Sequence, residues 1–231
     1  MPPKGLPPSG RITAALRAFV AALACLSPAI PCLAASDALS LRPDTTLALG
    51  SVSIDVRSTI AWVMQEHDNQ GKPFAIVDKK SAVLHVFDAN GRLRGSSAVL
   101  LGLTPGDTAA IGLDAADPER LQATDRTTPA GRFSSEPGHN LQGDAIVWVD
   151  YAAKLAIHRL RAAPAQERRA ARLASATPTD NRISLGCVVV PEAFYDQVVA
   201  PVLGKSYGVV YVLPETYPLE RLLGGLQLSL R

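Results

Sequence analysis

The chain has 231 residues, enough for one ordinary domain with appendages. A hydrophobic fraction of 47% supports a core of ordinary size. A net charge of +2 argues against a nucleic-acid partner or a polybasic membrane surface.

Residues 1–35 read as a secretory signal. Lys4, Arg11 and Arg17 form a basic start with no acid. Ala18 to Ile30 is apolar and Ala-rich, and Cys32-Leu33-Ala34 and Leu33-Ala34-Ala35 are small-residue cleavage sites. The apolar run is short for a membrane span, and Pro28 and Pro31 interrupt it. An uncleaved N-terminal anchor is the alternative; lipid attachment at Cys25 is weaker, because Ala22-Leu23-Ala24 makes a poor lipid-attachment box. Cleavage predicts an exported protein of the periplasm or cell envelope, close to neutral and with no stable membrane span. Of the three cysteines, Cys25 and Cys32 lie in the leader, so Cys187 is left alone. A single cysteine in an exported protein is buried and inert, paired between chains, or a free reactive thiol.

Residues 36–72 read as an N-terminal arm with a short helix. Ser36 to Gly50 is mixed in character. Val56 to Gln70 has helical spacing, with Ile60, Val63 and Met64 on one face and Gly71 able to end it. From Pro73 the period changes to that of strands. Phe74 to Val77 is apolar, Asp78 to Ser81 is a turn, and Ala82 to Phe87 is the next strand. Asp88-Ala89-Asn90-Gly91 is a hairpin signal. Arg92 to Leu101 returns as a third strand. The meander is apolar on both faces, as in the core of a sandwich. His85 lies inside it and reads as a structural histidine.

Leu103 to Thr127 has no clear period and predicts a surface excursion. Thr128 to Phe133 predicts a turn, with Pro129 fixing φ and Gly131 supplying freedom. Glu136-Pro137-Gly138-His139-Asn140 reads as a loop. Ala145 to Val149 and Leu155 to His158 are strands, the second delivering His158 at its end. Arg161 to Ala176 has helical periodicity and reads as a solvated helix walling a cleft, with arginines suited to carboxylates of an anionic peptide.

Ser184-Leu185-Gly186-Cys187 is the stretch that organises the rest. A glycine lets the backbone turn sharply and lets a substrate approach closely. A sulfur delivered just after it stands at the lip of a groove, beside backbone N–H groups able to receive charge on an attacked carbonyl. Pro191 opens a helix reaching Val199, Gly208 to Leu213 is a last strand, and residues 215–231 form a tail of unassigned structure. One remaining cysteine with His67, His85 and His139 scattered offers no metal-ligand cluster, and no cofactor is expected.

The order of these landmarks resembles the L,D-transpeptidase catalytic domain, also called the YkuD domain. The matching pieces are Ala75-Ile76-Val77-Asp78, Leu84-His85-Val86-Phe87, Thr128-Pro129-Ala130-Gly131-Arg132-Phe133, Ala156-Ile157-His158 and Ser184-Leu185-Gly186-Cys187. The resemblance implies a mainly-β fold, a sandwich with small helices around one catalytic groove, over residues 73–214. It implies an enzyme acting on peptidoglycan stem peptides, with Cys187 as nucleophile and His158 as base. Ser184 and Gly186 match the family's Ser/Thr and Gly. The N–H groups of Gly186, Cys187 and Leu185 are the expected oxyanion donors, and Ser184 is expected to orient the site. Leu185 stands where the family usually has His, and Val189 where it often has Asn or Arg. The expected reaction is L,D-transpeptidation through a Cys187 thioester. Its alternatives are hydrolysis by water, as an L,D-carboxypeptidase or endopeptidase, and a non-catalytic peptidoglycan-binding protein. A papain-like peptidase is disfavoured, because His158 precedes Cys187.

Overall fold

The computed structural model describes residues 52–109 and 122–229, the side chains of 226–229 excepted. The expected leader, the stretch Ser36 to Gly50 and part of the expected surface excursion lie outside the described residues.

Helix α1 (Ile54–Glu66) starts where the Ser53 hydroxyl accepts the Val56 N–H at 3.3 Å. It stops at His67, whose φ of 53° leaves the helical region. That is four residues before Gly71, so the helix is shorter than its apolar spacing predicts.

The strands follow: β1 (Phe74–Asp78), β2 (Val83–Phe87), β3 (Leu93–Ala98), β4 (Leu101–Gly102), β5 (Gly131–His139), β6 (Ala145–Asp150) and β7 (Leu155–Arg159). A five-residue helix α2 (Arg169–Leu173) precedes β8 (Arg182–Ser184) and β9 (Val188–Val190). Next come α3 (Glu192–Phe194), a π-helical stretch Tyr195–Val199, α4 (Ala200–Val202), β10 (Gly208–Val212) and α5 (Leu219–Ser229). The hairpin signal after β2 holds. The Asp88 carboxylate accepts the N–H groups of Asn90 and Arg92, both at 3.0 Å, and Gly91 takes a φ of 75°.

The fold is mainly β, as expected. Eight strands form one mixed sheet in the order β3-β2-β1-β10-β5-β6-β7-β9. Only β1 with β10 and β7 with β9 run parallel within it. The sheet bends until its ends meet. Leu100, just after β3, exchanges two backbone hydrogen bonds with Val189 of β9 (2.8 and 2.9 Å), and β4 pairs with β8 alongside. The two layers of the expected sandwich are thus one sheet folded over. Its concave side buries Val77, Leu84, Val86, Val147, Ile157, Val188 and Val210. Its convex side over β1 and β10 buries Phe74, Ile76, Val209 and Tyr211 with α1 and α5. Burial of this apolar area, about 25 cal/mol per Å², is the main favourable contribution to folding.

Three local expectations are corrected. β3 is half exposed, because it is the outer strand of the meander. Residues 136–139 are not a loop: they continue β5 and pair with β6 from Glu136↔Trp148 to His139↔Ala145. Tertiary pairing overrides the Pro-Gly signal there, and the Trp148 indole lies where a side chain at Gly138 would stand. The expected helix from Arg161 to Ala176 is reduced to a 3₁₀ turn (Ala165–Glu167) and α2, because Pro164 and a left-handed Arg168 (φ 49°) interrupt it. The unassigned tail carries α5, which packs Leu219, Leu222 and Leu223 on the convex core. Among the described residues no helix is long and apolar enough to cross a membrane.

Asp68 is a buried carboxylate on the convex side. Asp68 Oδ2 accepts from Arg132 Nε at 2.6 Å and from the Tyr211 hydroxyl. Burial and the Asp68 charge push the Tyr211 phenol well above its ordinary range. Tyr211→Phe keeps the ring and removes one donor from a buried charge. It is expected to cost about 1.5–3 kcal/mol, read as a lower urea midpoint at unchanged m-value.

Candidate active site

The site is built where β7 and β9 pair. Their parallel register sets Ile157 against Val188 and His158 against Val189. Ile157, Val188 and Val190 point into the concave core. Side chains alternate along a strand, so His158 and Val189 point to the convex face. Cys187 stands just before β9, its sulfur against the Lys154 carbonyl at the entry to β7. Residues far apart in sequence thereby come onto neighbouring strands.

The turn that delivers the cysteine depends on its glycine. Gly186 has a φ of 129°, and a Cβ there would stand 3.0 Å from the Thr127 carbonyl oxygen. Ser184, buried at the end of β8, braces the turn from within. Its hydroxyl donates to the Cys187 carbonyl at 2.6 Å and accepts the Gly186 N–H at 3.1 Å. The Gly186 N–H is therefore engaged, and the remaining backbone donors of the turn are those of Leu185 and Cys187. The buried Thr128 hydroxyl holds the other side, donating to the Gly186 carbonyl at 2.7 Å and accepting the Gly102 N–H at 2.9 Å.

The thiol and the imidazole are both held by β7 backbone. Cys187 Sγ donates to the Lys154 carbonyl at 3.3 Å, and the Ala156 N–H is directed at the sulfur. Burial pushes the thiol pKa up; the Ala156 N–H and the Arg161 charge work against that rise. The His158 Nδ1 lies 2.8 Å from the Arg159 carbonyl oxygen. A carbonyl only accepts, so this contact assigns the proton to Nδ1 and leaves the lone pair on Nε2. Burial drives the His158 pKa down to about 4; the Arg159 contact opposes this, and Arg161 and Arg169 add to it. At neutral pH the pair is a thiol and a neutral imidazole. The hydrogen bonds of the two groups run to backbone and not to each other.

Leu185 is 43% exposed and gives the turn an apolar lip. Val189 is buried between His158 and Leu100, so its place in the sheet is structural. Beyond the end of β7 a cavity of about 330 Å³ is lined by Leu160, Arg161, Pro164, Arg168 and Arg169. Arg161 pairs with Asp144 at 3.3 Å and Arg169 with Glu167 at 2.5 Å. Of the arginines expected on a helical wall, Arg161 and Arg168 come from irregular backbone and Arg169 from the first residue of α2.

Sequence reasoning missed the support beneath the turn. Lys79 Nζ donates to Asp107 Oδ1 at 2.6 Å and to the Thr128 carbonyl at 2.9 Å. Arg182 NH2, at the start of β8, donates to Glu215 at 2.6 Å and to the Lys79 carbonyl at 3.1 Å. Lys79 sits in a polar turn and Glu215 follows Pro214, contexts that read as solvated. The available signal was Thr128, placed at the head of the Thr-Pro-X-Gly piece.

No protein-family model matches the sequence, and no curated protein does. Solved structures with a similar fold include the helical cell shape determining protein Pgp2 from Campylobacter jejuni, 14% identical over 68% of this chain and 55% of that chain, TM-score 0.40. The catalytic domain of an E. faecium L,D-transpeptidase is 16% identical over 62% of this chain and 98% of that one, TM-score 0.35. Bdellovibrio bacteriovorus Bd1075 is 13% identical over 69% of this chain and 55% of that one, TM-score 0.35. The chain spans about half the length of the Pgp2 and Bd1075 chains. At these TM-scores the likenesses decide neither reaction nor substrate.

Two outcomes follow from the geometry. Gly186→Ala is expected to destabilise the protein by about 1–3 kcal/mol, from backbone strain and the Thr127 contact, and to slow alkylation or acylation of Cys187. Denaturation and thiol-labelling rates measure both. The second concerns pH. The folded pKa of His158, about 4, lies below its ordinary value of 6.5, so the unfolded chain binds more protons between them. Stability from this site is complete above pH 6.5 and falls as the pH drops towards 4. An NMR titration is expected to place His158 near 4, and His158→Asn is expected to flatten the stability profile across that window.

Proposed function

We propose that the chain is an exported cysteine acyltransferase of peptidoglycan stem peptides, an L,D-transpeptidase with Cys187 as nucleophile and His158 as general base. The observation that carries the reading is the meeting of the cysteine turn with β7. There a glycine-delivered thiol lies against the backbone that leads into β7, the strand carrying an imidazole whose Nδ1 faces a carbonyl and whose Nε2 is left as an acceptor. The ordered motifs of the sequence and the leader-like first 35 residues support it.

In this mechanism the donor peptide displaces the thiol from the Lys154 carbonyl by rotation about the Cα–Cβ bond. The sulfur attacks the carbonyl carbon of the diamino-acid–D-alanine bond as its proton passes to His158 Nε2. The N–H groups of Cys187 and Leu185 receive the oxyanion. Collapse of the tetrahedral intermediate breaks the C–N bond. The imidazolium gives its proton to the leaving D-alanine amine, and a thioester remains. The side-chain amine of an acceptor stem then attacks, losing a proton to His158. The thioester breaks, the thiol is re-formed, and the new amide leaves. The cavity carrying Arg161, Arg168 and Arg169 suits a carboxylate of the donor stem. Ser184 and Gly186 act as positioning residues, holding the turn.

Intact-protein mass spectrometry with a disaccharide-tetrapeptide and, separately, with a carbapenem tests the reading. An adduct on Cys187 and a cross-linked muropeptide dimer are expected. An adduct with tripeptide product and no dimer would make water the acceptor and the protein an L,D-carboxypeptidase. A folded protein giving neither adduct nor turnover would overturn catalysis and leave a binding protein. Cys187→Ser and His158→Ala are each expected to lower turnover by about 10⁴-fold or more without loss of fold.

A further inference from the structure

α1 and α5 cover the convex face over β1 and β10. Over β5 and β6 that face carries a small aromatic cleft of about 90 Å³. Trp148 of β6 forms one side. Tyr151, in the β6–β7 turn, stacks on it with ring centroids 4.6 Å apart and planes at 29°. Tyr207 stands at the turn before β10 and closes the far side. Glu136 and Ser134 of β5 supply a carboxylate and a hydroxyl between the rings. Tyr151 is 57% exposed and Tyr207 63%, although burial of either ring would be favourable. The arrangement is not loose. The Tyr151 hydroxyl donates to Glu136 Oε1 at 2.7 Å, which fixes the ring that stacks on Trp148.

We infer that this cleft is a carbohydrate subsite, which seats the apolar face of a hexopyranose ring of a glycan against Tyr151, Tyr207 and Trp148. The chemistry of the lining selects this occupant. A pyranose ring presents axial C–H bonds on one face, and aromatic faces are electron-rich. It also presents hydroxyl donors at its rim. Glu136, once it has accepted the Tyr151 proton, still has lone pairs to fill, and a sugar hydroxyl fills them. A proline-rich peptide suits the rings equally, but the prolines that would pack on them carry no N–H, which leaves the carboxylate unmatched there. Among the described residues no lysine or arginine lines the cleft, so an anionic ligand meets no cation there.

The position of the cleft couples it to the cysteine. The turn that carries Tyr151 ends at Lys154, whose carbonyl accepts the Cys187 thiol. A sugar ring held on Tyr151 therefore lies on the same turn that the nucleophile touches. The inference deepens the stem-peptide reading and rests on it for its biological sense. A peptide attached to a glycan strand would be anchored by its sugar beside the thiol. The binding site itself stands on the aromatic geometry.

The test uses the full chain and the β-1,4-linked N-acetylglucosamine tetramer as probe, followed by NMR at the Trp148 indole N–H. Saturable shifts at Trp148 are expected. Tyr207→Ala and Tyr151→Ala are each expected to weaken binding about five- to tenfold, and Tyr151→Phe to retain the larger part of it. Both tyrosines are well exposed, and an unchanged melting temperature shows that the alanine variants fold. No shift at Trp148, shifts that survive both alanine variants, or equal shifts from a proline-rich decapeptide would overturn the subsite. The tetramer carries no peptide, and thiol acylation by a carbapenem needs no sugar. Acylation without sugar binding would sink the subsite alone. Sugar binding by a protein whose Cys187 never acylates would sink the acyltransferase reading alone.

Discussion

Lys79 has no access to water, so its ammonium must find its acceptors within the protein. It finds the Gly106 carbonyl, Asp107 Oδ1 and the Thr128 carbonyl. Burial lowers its pKa, and the charges of Asp107 and Glu215 oppose that shift. For Asp107, burial by itself raises the pKa; the Lys79 ammonium, Thr216 and the Glu215 N–H overcome it and hold the carboxyl down to about 2. Glu215 completes the set by accepting the Gly106 N–H at 2.9 Å and the Arg182 guanidinium at 2.6 Å. Breaking such a set by removing one partner leaves a buried charge uncompensated, at a cost of about 3–5 kcal/mol. Five separated stretches of the chain are thereby fixed to one point.

That point lies directly beneath the cysteine turn. Thr128 is held by Lys79 through its carbonyl, and its hydroxyl holds the Gly186 carbonyl. Arg182 is held through Glu215, and it opens the strand that ends at Ser184. Both flanks of the turn therefore descend from the same ion cluster. The closure of the sheet through Leu100 and Val189 fixes β9 from the other direction. Gly186 can occupy a φ of 129° because its surroundings determine it from both sides. The position of Cys187 is thus a consequence of the fold's electrostatics as much as of its local motif.

The elements that were legible in the sequence are those with local causes. The strand β1 announces itself by an unbroken apolar run and β2 by one interrupted only by His85, the hairpin by Asn90-Gly91, and the cysteine turn by a glycine between a small hydroxyl residue and a thiol. His85 reads as structural, and its Nδ1 does meet the Ser96 hydroxyl at 2.7 Å inside the meander. What was not legible has distant causes. Pro137-Gly138 looks like a turn until β6 provides a neighbouring ladder for it. Lys79 looks solvated until Asp107 and Glu215 arrive, and the second of these lies 136 residues further on. The stretch after His158 has helical spacing, but Pro164 lacks an N–H and Arg168 leaves the helical region, so periodicity overstates the helix. The fold class was local information; the scaffold of the site was not.

The electrostatics of the pair set how it could react. A preformed thiolate and imidazolium would place two charges in a half-buried site. Burial opposes both, raising the thiol pKa and lowering that of the imidazole. Arg161 acts on the two in opposite senses: its charge favours a thiolate at Cys187 and disfavours an imidazolium at His158. The resting state is therefore neutral, and the thiol is shielded by its contact with Lys154. For His158 burial is the larger cause, and the charges of Arg161 and Arg169 only add to it. Burial thus sets the proton state of both groups and Arg161 modulates it in opposite senses, while the thiol is directed at the Lys154 carbonyl.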